Sequence, residues 1–286
     1  MKNRAWYFVI PMLILMSIGA FLPIMVVVNY SQHYIFAGSA PTFVGLENFV
    51  EVLHDSQFRG AVSRQFLFTF MVLVIEISLG LMVALALPKK GFWVAPCLVL
   101  LGIPLLIPYN VVGIIWRLFT QSDIGVIPKI FEVLGGYYNV TLDSFDAAST
   151  ILLLDVWHWT PLVVLLVYAG LQAIPDAYYQ AAAIDGANSW RTFRFVTLPK
   201  LRSVLTLGIL LRLMDSFKIY SEPLLLTGGG PGTATTYLSL FVARKAESYE
   251  LGYASAASLI YFFIVLVMSY AAFQIITRIG KGGKVE

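Results

Sequence analysis

The sequence predicts an all-α integral membrane protein with six transmembrane helices, on three observations. Hydrophobic residues make up 59% of the 286 and charged residues only 12%, whereas a soluble domain carries about 25% charged residues. Mean hydropathy is +0.80. The apolar residues are also blocked into runs of about twenty, each long enough to cross a hydrocarbon core of about 30 Å as a helix. A water-soluble fold has no means of covering so much apolar surface, so lipid is the first partner.

The spans fall at roughly 6–29, 66–88, 92–118, 150–171, 203–226 and 251–276. The first begins after Lys2 and Arg4, but its apolar run to about Val28 exceeds the roughly 7–15 residues of a signal h-region. No small-residue cleavage site follows it directly, so it reads as a retained helix. Pro11 and Pro23 are tolerable there, because lipid-buried helices re-satisfy freed carbonyls locally. The last span carries a small-residue face, with Gly252 and Ala256, then Ala254 and Ser258, spaced four apart. Such spacing suits close helix packing, either inside the subunit or against a second one.

Positive charge sets the orientation. With the N-terminus inside, Lys2, Arg4, Lys89, Lys90, Arg191, Arg194, Lys200, Arg202, Arg278, Lys281 and Lys284 lie on the cytoplasmic side. Arg59, Arg64, Lys129, Arg244 and Lys245 fall outside. The imbalance predicts both termini in the cytoplasm. In the external segment of about 43–60, Leu46, Phe49, Val50 and Leu53 form one helical stripe, expected to lie on the membrane or the bundle.

Nothing resembles a basic nucleic-acid face. The single cysteine, Cys97, excludes an intramolecular disulfide, and His33, His54 and His158 have no metal-ligand spacing. No Gly-x-x-x-x-Gly-Lys-Ser/Thr phosphate loop occurs, since Gly228-Gly229-Gly230-Pro231-Gly232 has no lysine after it. There is no His-Glu-x-x-His or Gly-x-Ser-x-Gly either. The chain therefore offers neither a nucleotide site nor a recognisable catalytic set.

Ionisable residues inside spans are costly, about 2.5–3.5 kcal/mol each on an insertion scale, and so mark cavities, interfaces or internal pairs. They are Glu76, Arg117, Asp155, His158, Arg212, Asp215, Lys218 and Glu222. Asp155, His158 and Trp159 share one helix face while Trp157 points elsewhere. Together with Asp215 and Lys218 they form the candidate solute path, carboxylate and imidazole for the hydroxyls at the edges of a solute and rings for its apolar faces. The alternative for Asp155 and His158 is an internal hydrogen bond that fixes the helices. Arg212 is expected to pair with Asp215, Lys218 with Glu222, and Arg117 to snorkel from its helix end.

The most informative stretch is a loop of about 172–202. Pro175 suits a first helical turn, and Gly186 suits the left-handed residue past a helix end. Ser189 is a candidate N-cap for a second helix, expected to stop near Pro199. Ala181, Ala182 and Ala183 leave one side nearly bare, open to the close approach of another protein, although the residues alone suit a plain structured connector at least as well.

This stretch resembles the cytoplasmic signature loop of binding-protein-dependent ABC importer permeases. That pattern runs Glu-Ala-Ala, three residues, Gly, nine residues, Ile, one residue, Leu-Pro. Here it falls on Gln180-Ala181-Ala182, Gly186, Val196 and Leu198-Pro199 at the full spacing, with Gln180 in place of Glu. Ile184-Asp185-Gly186-Ala187 resembles the sugar-importer version. Phe43-Val44-Gly45-Leu46-Glu47-Asn48-Phe49 is similar to the segment after the first helix of maltose-type permeases. Asp215 to Tyr220 and Leu226 to Pro231 are similar to their fifth helix and the loop that follows. The resemblance covers roughly 40–275.

The resemblance implies a type I ABC importer permease fold and a single permease domain over 1–286, in the prokaryotic inner membrane. The solute would be carbohydrate or polyol-like: sugar, glycerol or glycerol phosphate. It implies a second permease, two copies of a cytoplasmic ATPase that binds the ATP and magnesium, and an extracytoplasmic solute-binding protein. Gln180, Ala181, Ala182, Asp185, Gly186, Arg191, Leu198 and Pro199 would then couple to the ATPase. The residues alone leave a second reading, a stand-alone secondary transporter with Asp155 and His158 as a proton relay.

Overall fold

The computed structural model describes residues 5–36 and 39–281. Lys2, Arg4 and Lys284 lie outside the described residues, as do the side chains of Arg278 and Lys281. Among the described residues thirteen α-helices follow one another: α1 Ala5–Ser31, α2 Glu47–His54, α3 Ser56–Ala86, α4 Val94–Gly102, α5 Tyr109–Thr120, α6 Val126–Val133 and α7 Ser144–Gln172. After them come α8 Asp176–Ile184, α9 Ser189–Thr192, α10 Leu198–Ser216, α11 Ser221–Thr227, α12 Leu238–Glu247 and α13 Leu251–Lys281. A two-residue antiparallel ladder, β1 His33–Tyr34 with β2 Thr42–Phe43, is the one strand pairing among the described residues.

Among the described residues, four helices are long and apolar enough to cross a membrane: most of α1, α3, α7 and most of α13. The pair α4–α5 makes a fifth if counted as one span. α10, with Lys200, Arg202, Arg212 and Asp215 in it, does not qualify on composition. The second helix begins at Ser56, ten residues earlier than its apolar run suggests. Two expected spans are not single helices. α4 continues through a 3-10 turn at Ile103–Leu106 and then turns 92° into α5. Pro108 explains the turn, because a proline forces the residue before it out of helical geometry, and Ile107 is extended at φ −84°, ψ 124°. The fifth span ends at Ser216 and restarts at Ser221. Pro223 has no N–H to give the Ile219 carbonyl, and its ring crowds it, which favours a break just before it.

By internal contacts the chain forms two compact units, Met1–Ala61 with Leu238–Leu266, and Val62–Tyr237 with Val267–Glu286. In the first, α1 is apolar and exposed on every side from Val9 to Val26 (Leu15 is 72% exposed), a surface that only lipid or a partner can cover. The Asn48 side chain donates to the Ser31 and His33 carbonyls at 2.9 and 3.0 Å. It therefore faces inward with Val52, while Leu46, Val50 and Leu53 face out. The small-residue face of α13 packs inside this unit: a Cβ on Gly252 would run into the His33 carbonyl.

The second unit is built on α3, α7 and α10. Ala84, Val163, Val164, Val167, Leu171 and Leu201 form one core cluster. Phe68, Val72, Ile151, Ile219, Leu226 and Tyr237 form another. Gly170 lets α7 and α10 approach, since a Cβ there would lie 2.9 Å from Leu201 Cδ2.

Candidate functional site

Both helix breaks of the second unit open onto one cavity of about 280 Å³. It is lined by Tyr109 from the start of α5, Asp155 and Trp159 from α7, and Asp215 to Glu222 around the α10–α11 break, without Ser216 and Phe217. Non-helical backbone at membrane depth is tolerated only where it is buried in protein or lines a water-filled space. The end of α10 is further secured by Gln65 of α3, which donates to the otherwise orphaned Ser216 carbonyl at 3.0 Å.

Arg212 organises the cavity floor. Its side chain is fully buried, so every donor must find an acceptor. Nη2 reaches Glu76 Oε1 at 3.0 Å and Asp155 Oδ2 at 2.6 Å, Nη1 reaches Asp215 Oδ2 at 2.9 Å, and Nε pairs with Glu76 Oε2. The guanidinium also lies 4.6 Å from the Trp159 ring centroid, a cation–π contact. One arginine thus ties α3, α7 and α10 together. A buried charge network of this kind is weak evidence of net stability, but removing one partner costs about 3–5 kcal/mol, because the others are stranded.

Of the path residues expected from sequence, the cavity takes in Asp155, Trp159, Asp215 and Lys218. His158 is buried behind the lining, its ring 5.6 Å from that of Tyr109, and its Nδ1 has no hydrogen-bond partner among the described residues. Asp155 bonds Arg212 rather than His158. Trp157 points away, 39% exposed, beside Trp116. The Arg212–Asp215 pair forms as expected. Lys218 instead pairs with Asp215, Nζ to Oδ1 at 2.7 Å, and not with Glu222. Tyr109, Tyr220, Ser221 and Glu222 were not among the expected path residues. Glu76, flagged only as a costly charge, is a central partner of Arg212.

The loop of 172–202 is a second site. α8 ends in two bonds, Gly186 N to Ala183 O at 3.1 Å and Ala187 N to Ala182 O at 2.9 Å, with Gly186 left-handed at φ 68°. This is the Schellman ending, which glycine adopts without steric cost. The N-cap of α9 is Asn188 rather than Ser189, its side chain accepting from Arg191 N at 2.9 Å. The second helix does not stop at Pro199. It widens into a π turn at Phe193–Thr197 and runs on as α10. The wider turn makes room for a ring that would collide with a carbonyl in a regular helix. Ala182 is buried inside the chain, and the bare large side chains are Ile184, Trp190 and Phe195, at 87%, 68% and 74% exposure. Gln180, Ala181, Asp185, Gly186, Arg191 and Pro199 are exposed, and Leu198 is half-buried.

The loop is stitched to the helix ends beside it. Tyr168 of α7 donates to the Pro88 carbonyl at 2.9 Å, and Gln172 donates to the Lys89 carbonyl at 2.8 Å. Lys89 and Lys200 sit over the rings of Tyr179 and Tyr178, at 4.1 and 4.0 Å from the centroids. Tyr179 of α8 also packs against the core cluster at the ends of α3 and α7, which includes Ala84, Tyr168 and Leu171.

Broken helices around a polar cavity, with an ordered surface loop anchored to them, define a multi-pass transport protein. The chain belongs to the family of binding-protein-dependent transport system inner membrane components, whose model matches residues 76–282. It is thus the permease component of an ABC importer in the inner membrane, not its ATPase. It is 35% identical over 266 residues to the trehalose/maltose transport system permease protein MalF of Thermococcus litoralis, covering 90% of this chain and 88% of that one. It is 29% identical over 272 residues to the sulfoquinovosyl glycerol transport system permease protein SmoG of Agrobacterium fabrum, covering 93% and 88%. The fold matches a bacterial alginate ABC transporter, solved in complex with an alginate pentasaccharide-bound periplasmic protein. The TM-score is 0.84 at 18% identity, over 97% of this chain and 95% of that one. Family membership removes the reading as a stand-alone secondary transporter.

Proposed function

We propose that this chain forms half of the translocation path for a carbohydrate or polyol-like solute, as one permease domain of six spans with both termini in the cytoplasm. In this reading α10 with α11 counts as a span and brings the number to six, and a second permease subunit covers its charged surface. The loop of 172–202 docks in a cleft of a cytoplasmic ATPase, present in two copies and binding the ATP and magnesium. An extracytoplasmic binding protein delivers the solute. The observation that carries the solute reading is the cavity at the two helix breaks. Its rings (Tyr109, Trp159, Tyr220) suit the apolar faces of a sugar, and its carboxylates and Ser221 suit the hydroxyls at the edges. Maltose- and trehalose-type relatives support the same class. The eleven-to-five distribution of positive residues supports the orientation.

Ile184, Trp190 and Phe195 give the loop its docking face, with Gly186 setting the turn between its helices. Coupling then runs from α8 through Tyr179, Gln172 and Tyr168 to the helices that line the cavity. The test is uptake of labelled sugars, polyols and glycerol phosphate by cells carrying the whole importer, with Tyr109→Ala and Trp159→Ala variants beside it. Loss of uptake in both, with normal yield of assembled complex, is the expected result. Unchanged uptake in both removes this cavity from the path.

A further inference from the structure

We propose that α6 is a membrane-interface anchor, lying flat in the leaflet opposite the 172–202 loop, with its apolar arc among phospholipid acyl chains and Lys129 at the level of the phosphates. The surface lies outside the cavity, and the inference is independent of the solute the cavity takes.

α6 (Val126–Val133) lies between the end of α5 at Thr120 and the start of α7 at Ser144. α7 is long and apolar enough to cross a membrane, and α4–α5 counts as a span when its halves are joined. α6 therefore sits where two spans reach the membrane boundary. The 172–202 loop follows the other end of α7, so this is the opposite boundary. At about 100° per residue the helix divides into three sectors. Ile127 and Pro128 are half-buried, and the Phe131 ring stacks on that of Tyr138 with centroids 5.0 Å apart. Tyr138 is itself buried and bonded to Thr150 of α7 at 2.5 Å. That sector faces the protein. Val126, Ile130 and Val133, with Leu134 just past the helix end, fill the second, all exposed and Val133 at 87%. Lys129 and Glu132 fill the third and are exposed too.

A helix with water along its whole free side would carry polar residues in both free sectors. Here the free side is split lengthwise, apolar beside charged, the division that a helix in the interface plane needs. With Ile124, the apolar arc lines a shallow groove of about 360 Å³ whose one charged member is Lys129. Lys129 has no ion pair among the described residues. An ammonium on a long stem beside an apolar surface reaches the phosphate layer while its methylenes stay with the acyl chains. A phospholipid thus matches the groove at both ends, chain and headgroup. α5, against which α6 packs, has its own exposed stripe of Val111, Ile114 and Leu118 on the side away from Tyr109 and the cavity.

The chain has a single cysteine, so Cys97→Ser gives a background in which one thiol at a time carries a nitroxide. Ile130→Cys and Val133→Cys place it on the apolar arc and Glu132→Cys on the charged one, all at exposed positions where a label displaces no packed side chain. The assembled importer is reconstituted in vesicles of phosphatidylethanolamine and phosphatidylglycerol. Spin relaxation by oxygen, which concentrates among acyl chains, is compared with relaxation by a water-soluble nickel chelate, each normalised to a free nitroxide in the same buffer. Oxygen should dominate at 130 and 133, and nickel at 132. Lys129→Glu sets a like charge against the phosphates and should weaken the oxygen preference at 133; an unchanged preference takes Lys129 off the phosphates and overturns that half of the proposal. Nickel dominant at all three sites means that the arc faces water and overturns the anchor. Labels at 130 and 133 closed to both reagents mean that a protein surface, from a partner or a second copy, covers the arc, and overturn it equally.

Discussion

The loop after α7 and the cavity beside Tyr109 differ in how their parts are gathered. Every piece of the loop lies within 172–202, and its shape comes from local chemistry: a glycine at φ 68°, an asparagine cap and a proline behind a π turn. The cavity draws on residues from 109 to 222, held by one buried arginine that reaches α3 and α7. The loop is thus specified by neighbours in sequence and tolerates change outside its turn. The cavity is specified by a charge network and fails as a unit. Transport needs both kinds of construction, a compact handle and a polar space whose walls belong to several helices.

The largest effect expected from that difference is at Arg212. Arg212→Met strands Glu76, Asp155 and Asp215, costing about 3–5 kcal/mol, and should sharply lower the yield of folded complex. Detergent-extracted complex measured by size-exclusion chromatography checks it. A normal yield would show that the cavity is not held as a unit.

Next is the handle. Gly186→Val puts a β-branched residue into left-handed backbone at a local cost of about 1–2 kcal/mol. Uptake and solute-stimulated ATP hydrolysis should fall about tenfold, the scale of that strain in equilibrium terms, while complex yield stays normal. Unchanged stimulation in this variant would break the docking reading.

A smaller effect is expected at His158, which sits behind the lining. His158→Phe keeps the ring and removes the unpartnered nitrogen, so uptake per assembled complex should stay within about twofold; buried unsatisfied groups are rarely worth keeping for stability. A larger loss would mean that the imidazole reaches the solute during the cycle. The smallest effect is at Lys90→Ala. The Lys90–Asp176 pair spans 3.7 Å with both side chains mostly exposed, and such pairs contribute little. Yield and uptake should both be indistinguishable from the parent.

Arg212 and Gly186 also mark the limits of what could be read in advance. Gly186 was legible because a helix that ends in a turn needs a residue free to take positive φ, and only the local sequence decides that. Arg212 and Asp215 were legible as a pair, three apart on one helix. Glu76 and Asp155 as partners of the same guanidinium were not, because they lie 136 and 57 positions away along the chain. The Asn188 cap was missed by one position, since asparagine and serine cap equally well and only the backbone at 188 shows which is used.

By itself the sequence determined that the chain lives in lipid, roughly where its apolar spans lie, and that its 172–202 loop is a structured turn between short helices. Each depends on hydropathy, periodicity or backbone freedom, which act over a few residues. The tertiary structure decided that two of the expected spans are broken and that their breaks meet. It also decided which of the intramembrane charges face one another and that Ala182 turns inward while Ile184, Trp190 and Phe195 stay bare. Prolines at 108 and 223 license a break without fixing its direction. Direction is set when α5 packs on α11, so closely that a Cβ on Gly113 would lie 3.0 Å from Leu225 Cβ, and that contact joins parts of the chain more than a hundred residues apart.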